Sequence, residues 1–363
     1  MKAPSSAIGI VSVLLLTLIG AAAAQRDETR RPPVPVDPVS LILEALKTHA
    51  VVSFSDSHGY PELAAFEQSV IRDARIRAAI NDVVIENGNA RFQPVMDRYV
   101  GGEQVSYEEL RHVWHDTTQI QTIGPRDGTI PALARAVREL NAGAPRERRI
   151  RILLGDPPID WTTVRTAADH RRWIEQRDIH AAGVIQREVL VKHRHALVIY
   201  GQGHLQRKQL AANYSTEGLA ATVASEIEKA APGQLFSLWW LTDRKAPPAD
   251  VGNWPVPSAA LVRGTTFGAM DFTEFEEAPR QRAAIVDGRI VPLPPEQWKS
   301  LRMEEQFDAV LNLGRSHGRS AEAGPAVEVC ADKEWLNEWL RRLAMGPPIP
   351  TAAQLRQLCG PTP

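Results

Sequence analysis

Five short apolar runs rich in β-branched residues set the architecture open to this chain: "AVVSFS" (50–55), "DVVIE" (82–86), "RIRILLG" (149–155), "HALVIYG" (195–201) and "QLFSLWWLT" (234–242). They are near-continuous apolar runs, so each reads as a strand buried on both faces, and longer segments with helical spacing separate most of them. The pattern predicts an α/β fold: a mostly parallel central sheet flanked by helices on both faces, with a smaller irregular C-terminal part. A single long crossover helix is expected over 167–193, where Trp173, Ile174, Ile179, Val184, Ile185 and Leu190 fall near helical spacing. Another helix is expected from Pro38, with Asp37 as its cap and proline at its first position. Beyond 243 the chain becomes proline- and aspartate-rich. It then offers a hairpin around Asp287-Gly288, a last buried strand in "QFDAVLNLG" (306–314) and a closing amphipathic helix in "DKEWLNEWLRRLA".

Residues 1–24, "MKAPSSAIGIVSVLLLTLIGAAAA", read as a signal peptide: one lysine, an apolar stretch, then small residues. Cleavage after Ala24 and an exported protein, periplasmic or extracellular, are the expectation. The competing reading is an uncleaved anchor, which would be the chain's one membrane attachment. A proline-rich tether follows over 25–39, then one domain over 40–318 and a helical tail over 319–363. The cysteines are Cys330 and Cys359. In an oxidising compartment they are expected to form a disulfide, closing a loop of about 30 residues and stabilising the tail by roughly 3 kcal/mol. Lys plus Arg number 42 against 43 Asp plus Glu, with no block of like charge, so no nucleic-acid surface is indicated and the expected partner is a small molecule or a peptide.

In an open parallel sheet, ligands bind beyond the carboxyl ends of the strands. The first strand here ends in Asp56 and His58, the second in Glu86, the third in Asp156 and the fourth in His204. Asp156, followed by Pro157-Pro158, reads as a turn residue. Glu86 does not, because a carboxylate that continues an apolar strand is partly buried and needs a partner. Asp56, His58, Glu86 and His204 have three chemical options. They can hold a divalent metal such as Zn, Mn or Fe, use an imidazole as general base on a water, or bind an iron-containing ligand.

His115, in "RHVWHDTTQ", is a candidate lid or substrate wall, and His180 a candidate for the crevice; His193 and His195 flank a turn and read as structural. No phosphate-binding glycine pattern and no Gly-x-Ser-x-Gly elbow occurs, which argues against nucleotide binding and against a serine hydrolase of the α/β-hydrolase kind.

In order along residues 50–315, the motifs resemble the superfamily that joins the erythromycin esterase-like hydrolases, the Tiki/TraB proteins and the haem-binding ChaN-like proteins. "SFSDSHGYPELAAFEQSVI" resembles the first motif, a strand ending in an acid and a histidine. "VVIENGNARFQPVMDRYVGG" is similar to the strand that ends in a glutamate. "EQRDIHAAGVIQ" looks like an Arg-Asp helix, here Arg177 and Asp178. "HALVIYGQGHLQRK" looks like the strand with the second histidine, and "FDAVLNLG" like the terminal strand. The chain departs from the family at Ser55-Asp56, where Gly-Glu or Gly-Thr is usual. The resemblance implies a site of Asp56, His58, Glu86 and His204, with Arg177 as a substrate or carboxylate clamp. It further implies hydrolysis of an ester or amide, metal-assisted or not, or, on the ChaN-like side, iron or haem binding without hydrolysis.

Overall fold

The computed structural model describes residues 30–56, 59–119, 129–208, 221–241, 251–272, 283–286, 289–292, 294, 301–317 and 332–345. The predicted runs form strands β1 (Val51–Ser55), β2 (Asp82–Asn89), β3 (Arg151–Asp156), β4 (Ala196–Tyr200) and β5 (Leu235–Trp240), joined by β6 (Ser258–Leu261), the hairpin β7 (Ala283–Val286) and β8 (Arg289–Pro292), and β9 (Ala309–Asn312). The main sheet has the order β3-β2-β4-β1-β5-β9-β6. Every neighbouring pair is parallel except β6 with β9 at the edge.

Side chains alternate between two cores. Val52, Phe54, Val83, Ile85, Leu197 and Ile199 face one layer, packed by the helices Pro38–Ala45, Pro61–Arg72 and Thr129–Asn141. Val51, Val84, Leu153, Val198 and Tyr200 face the other, packed by Arg177–Ile185 and Val223–Ala230. Each large apolar side chain so buried contributes about 1.5–3 kcal/mol, which is why unbroken apolar runs specify two-sided burial. The Asp37 carboxylate accepts a hydrogen bond from the Ser40 amide at 2.8 Å and starts the first helix as its sequence predicts.

The single helix expected over 167–193 is instead two, Ala167–Ile174 and Arg177–Ile185, continued by a π-helical turn at Gln186–Leu190. Thr166 and Asp169 close a reciprocal cap on the first, and its last turn tightens at Gln176, whose amide bonds the Trp173 carbonyl at 3.1 Å. The restart places Arg177 and Asp178 in a first helical turn instead of mid-helix. The edge strand β6 was not expected. It lies within the proline-rich stretch, where its four residues pair with β9 on one side. On the other, Val36 exchanges backbone hydrogen bonds of 2.8 and 2.9 Å with Ala259. The predicted closing helix is present as Lys333–Leu343, and its Trp339 and Leu343 pack on Ile159, Trp161 and Val164. Among the described residues no helix is long and apolar enough to cross a membrane. The leader (1–24), Cys330 and Cys359 lie outside the described residues.

Candidate active site

Four adjacent strands, β3, β2, β4 and β1, bring their carboxyl ends to one rim. Glu86 lies in the second half of β2, where the register with β3 shifts between Ile85 and Asn89. The side chain is buried and well supplied with donors. Its Oε1 accepts from Arg177 Nη2 at 2.5 Å and Gln119 Nε2 at 2.8 Å, and its Oε2 accepts from the Gly201 amide at 2.6 Å. His204, in the turn after β4, brings Nε2 to 3.4 Å from the same Oε1. Its Nδ1 lies 2.7 Å from Asp178 Oδ1, so the Nδ1 proton belongs on the Asp178 side. Asp178 Oδ1 also accepts from the amide of Val223, the first residue of a helix, whose positive end favours the anion.

Asp156 ends β3 as a member of this cluster, not as a simple turn residue. Its carboxylate takes hydrogen bonds from the Thr118 amide and hydroxyl, at 2.7 and 2.6 Å, and Arg177 Nε stands 3.6 Å away. Burial pushes its pKa up to about 7, against the lowering effect of Arg177 and Thr118. His204 moves up as well: burial opposes its charge, but Asp178 and Glu86 beside it outweigh that and raise its pKa.

Tyr200 lies under this cluster. Its ring crosses β2 to reach β3, and a Cβ on Gly155 would sit 1.7 Å from the Tyr200 hydroxyl, so only glycine fits there. The hydroxyl is buried with no hydrogen-bond partner among the described residues, and burial raises its pKa well above the usual value.

Of the residues picked out in the sequence, Glu86, Arg177 and His204 converge, together with Asp178. Asp56 stands at the same rim: its amide bonds the Tyr200 carbonyl at 3.0 Å, and its Oδ2 accepts from Asn87 Nδ2 at 3.3 Å. His58 lies outside the described residues. His115 is elsewhere, buried beside Trp114 and Trp335, and burial depresses its pKa to about 4. His180 is half-buried on the Arg177 helix, makes no hydrogen bond to the cluster, and is held to about 4 by burial and by Arg187. Sequence reasoning missed Thr118, Gln119 and Tyr200, and read Asp156 as a turn residue. Asp156 alone carried a signal, its place at a strand end.

The donors among the described residues do not read as a metal centre, and His58, the remaining candidate ligand, lies outside them. Glu86 already receives three hydrogen bonds, His204 Nδ1 is committed to Asp178, and among the described residues no group of His, Cys, Asp or Glu has metal-binding geometry. A cleft of about 970 Å³ opens nearby between Phe92, His112, Trp161 and Trp335. None of the carboxylates of the Glu86 cluster lines it.

No family model matches the chain, and no curated protein matches it. Solved structures do. A Bacillus cereus protein superposes with a TM-score of 0.50 at 10% identity, covering 80% of this chain and 96% of that one. Erythromycin esterase EreC, as a histidine-to-asparagine variant in its open conformation, gives 0.46 at 12% identity over 78% of this chain and 94% of that one. A succinoglycan biosynthesis protein gives 0.44 at 8% identity, with 78% and 94% covered. The chain thus shares its fold with the Bacillus cereus protein.

Proposed function

We propose that this protein hydrolyses an ester or amide of a small molecule or peptide outside the cytoplasm, with His204 as the proton-transfer group. The observation that carries the reading is the Asp178–His204–Glu86 line: 2.7 Å from Asp178 Oδ1 to Nδ1 and 3.4 Å from Nε2 to Glu86 Oε1. Asp178 fixes the tautomer and leaves Nε2 as the atom that accepts a proton from water as the water attacks the carbonyl carbon. The same Nε2 then returns that proton to the departing alkoxide or amine as the carbon–oxygen or carbon–nitrogen bond breaks. Glu86 stabilises the imidazolium formed between these steps, and Arg177 holds Glu86 in place. Asp56, just beyond the neighbouring strand β1, and His58, which lies outside the described residues, are where the resemblance puts further substrate or water contacts. The EreC likeness supports an ester as the first substrate class to try.

The test is a panel of chromogenic esters and short peptides with the purified protein and its His204→Gln variant. Turnover in the parent should fall by roughly 100- to 10,000-fold in the variant, with the melting curve still cooperative. Full turnover in His204→Gln on a hydrolysed substrate sinks the assignment. A Soret band on haem titration without any hydrolysis would replace it. Export is checked by sequencing the amino terminus of secreted material, with Gln25 expected first.

A further inference from the structure

We infer that the closing helix Lys333–Leu343 is part of the working site, and that Arg342 is a positioning residue acting on Glu86 and Asp156 through the strip 115–119. The inference rests on the hydrolase reading for its activity arm only. Arg342 is buried to 5% exposure, an unusual place for a guanidinium on a tail. It stacks on the Trp161 ring at 4.7 Å and is held by Glu338 at 2.7 Å. Its Nη1 donates to the His115 carbonyl at 3.1 Å and to Asp116 Oδ1 at 2.7 Å.

From Asp116 the chain leads directly to the carboxylates. Trp161 Nε1 donates to the Asp116 and Thr117 carbonyls at 3.2 Å each, and Asn89, the last residue of β2, donates to the Asp116 carbonyl at 2.7 Å. One residue on, Thr118 binds Asp156 twice, and its carbonyl faces His170 Nε2 at 2.8 Å. The next residue, Gln119, binds Glu86 at 2.8 Å. Two successive residues therefore supply three of the hydrogen bonds that fix the buried acids, and the strip bearing them is pinned from outside by a side chain on the closing helix.

Arg341 provides the internal control. It ties the same helix to the Val164 and Trp161 carbonyls at 2.9 and 3.1 Å and to Glu338, with no hydrogen bond to the strip. Docking of the helix and positioning of the strip thus fall to adjacent arginines. Loss of Arg342 should shift the strip without releasing it, because His112, Trp161 and Asn89 still hold Asp116.

The experiment compares the full chain with Arg342→Ala, Arg342→Lys and Arg341→Ala, reading the Gln119 side-chain amide by NMR, assigned through Gln119→Leu. Arg342→Ala should move or broaden that resonance, Arg342→Lys should fall between it and the parent, and Arg341→Ala should leave it in place. On a substrate from the panel, Arg342→Ala should lower kcat about 10-fold with KM within about threefold, since the strip touches the acids and not the substrate. An unmoved amide in Arg342→Ala overturns the inference, as does an equal displacement in Arg341→Ala or a rise in KM at constant kcat. Should the parent hydrolyse nothing in the panel, the hydrolase reading fails and the amide signal decides the coupling by itself.

Discussion

Strand β2 buries two carboxylates four residues apart, and their surroundings differ in kind. Asp82, at the amino end, is matched one to one: Arg194 Nε and Nη2 reach its two oxygens at 2.6 and 2.8 Å. Glu86, at the carboxyl end, shares one oxygen among Arg177, Gln119 and His204. A planar fork on a single carboxylate satisfies it and locks strand to turn, a fixed arrangement with nothing left to exchange. An oxygen shared with an imidazole keeps a titratable neighbour, whose pKa is lowered by burial but raised overall by the Asp178 and Glu86 carboxylates. Two buried acid–arginine pairs on one strand thus differ in kind, Asp82 closed in a two-point pair and Glu86 shared among several partners. What separates them is the third partner, not the depth of burial.

Removing the charges one at a time is the most forceful way to break that contrast. Glu86→Gln should cut turnover by at least about 100-fold while the protein still unfolds cooperatively. Asp82→Asn should leave kcat within about threefold yet cost on the order of 1–2 kcal/mol in urea denaturation, modest because Arg194 keeps some access to water. Equal losses of turnover in both variants would erase the distinction.

Asp156 sharpens the comparison through pH. Its pKa rises from an ordinary 3.8 to about 7 in the folded chain, so the native state holds this proton more tightly than the unfolded state does. Its contribution is fully present below pH 3.8 and is lost as pH rises toward 7, after which it levels off. Asp156→Asn has no proton to lose. The variant should gain on the parent across that window by an amount on the order of 3 kcal/mol, read from denaturation midpoints at pH 4, 5.5 and 7. A parallel pH dependence in the two proteins would show that Asp156 titrates normally.

The smallest expected effect is at Tyr200. Because its hydroxyl has no partner among the described residues, Tyr200→Phe should change stability by less than about 1 kcal/mol in either direction. A loss above about 2 kcal/mol would reveal a partner and place the hydroxyl in the shared network.

Much of this arrangement is legible in the residues because the signals are local. Apolar runs such as "HALVIYG" announce two-sided burial, and Glu86 stands out as a charge at the end of such a run. Other features depend on partners far along the chain. Asp156 looks like a turn acid before two prolines until Thr118, 38 positions earlier, is folded against it. The break near Gln176 is masked because apolar spacing continues through Trp173, Ile174 and Ile179. Strand β6 is too short to show against its proline-rich flanks, and its pairing comes from Val36 and β9, both remote in sequence. Arg342 gives no sign of its role, since a charged residue on an amphipathic helix ordinarily faces water.

The backbone pairing of Val36 with Ala259 has one more consequence. It gives the outermost strand a neighbour, and the Arg30–Glu304 ion pair at 2.8 Å fastens the same stretch a little further back. Trimming the protein to begin at Pro38 would bare a row of amide and carbonyl groups able to recruit the matching strand of another molecule. Such a shortened form should grow into larger particles by light scattering, whereas one beginning at Gln25 should not.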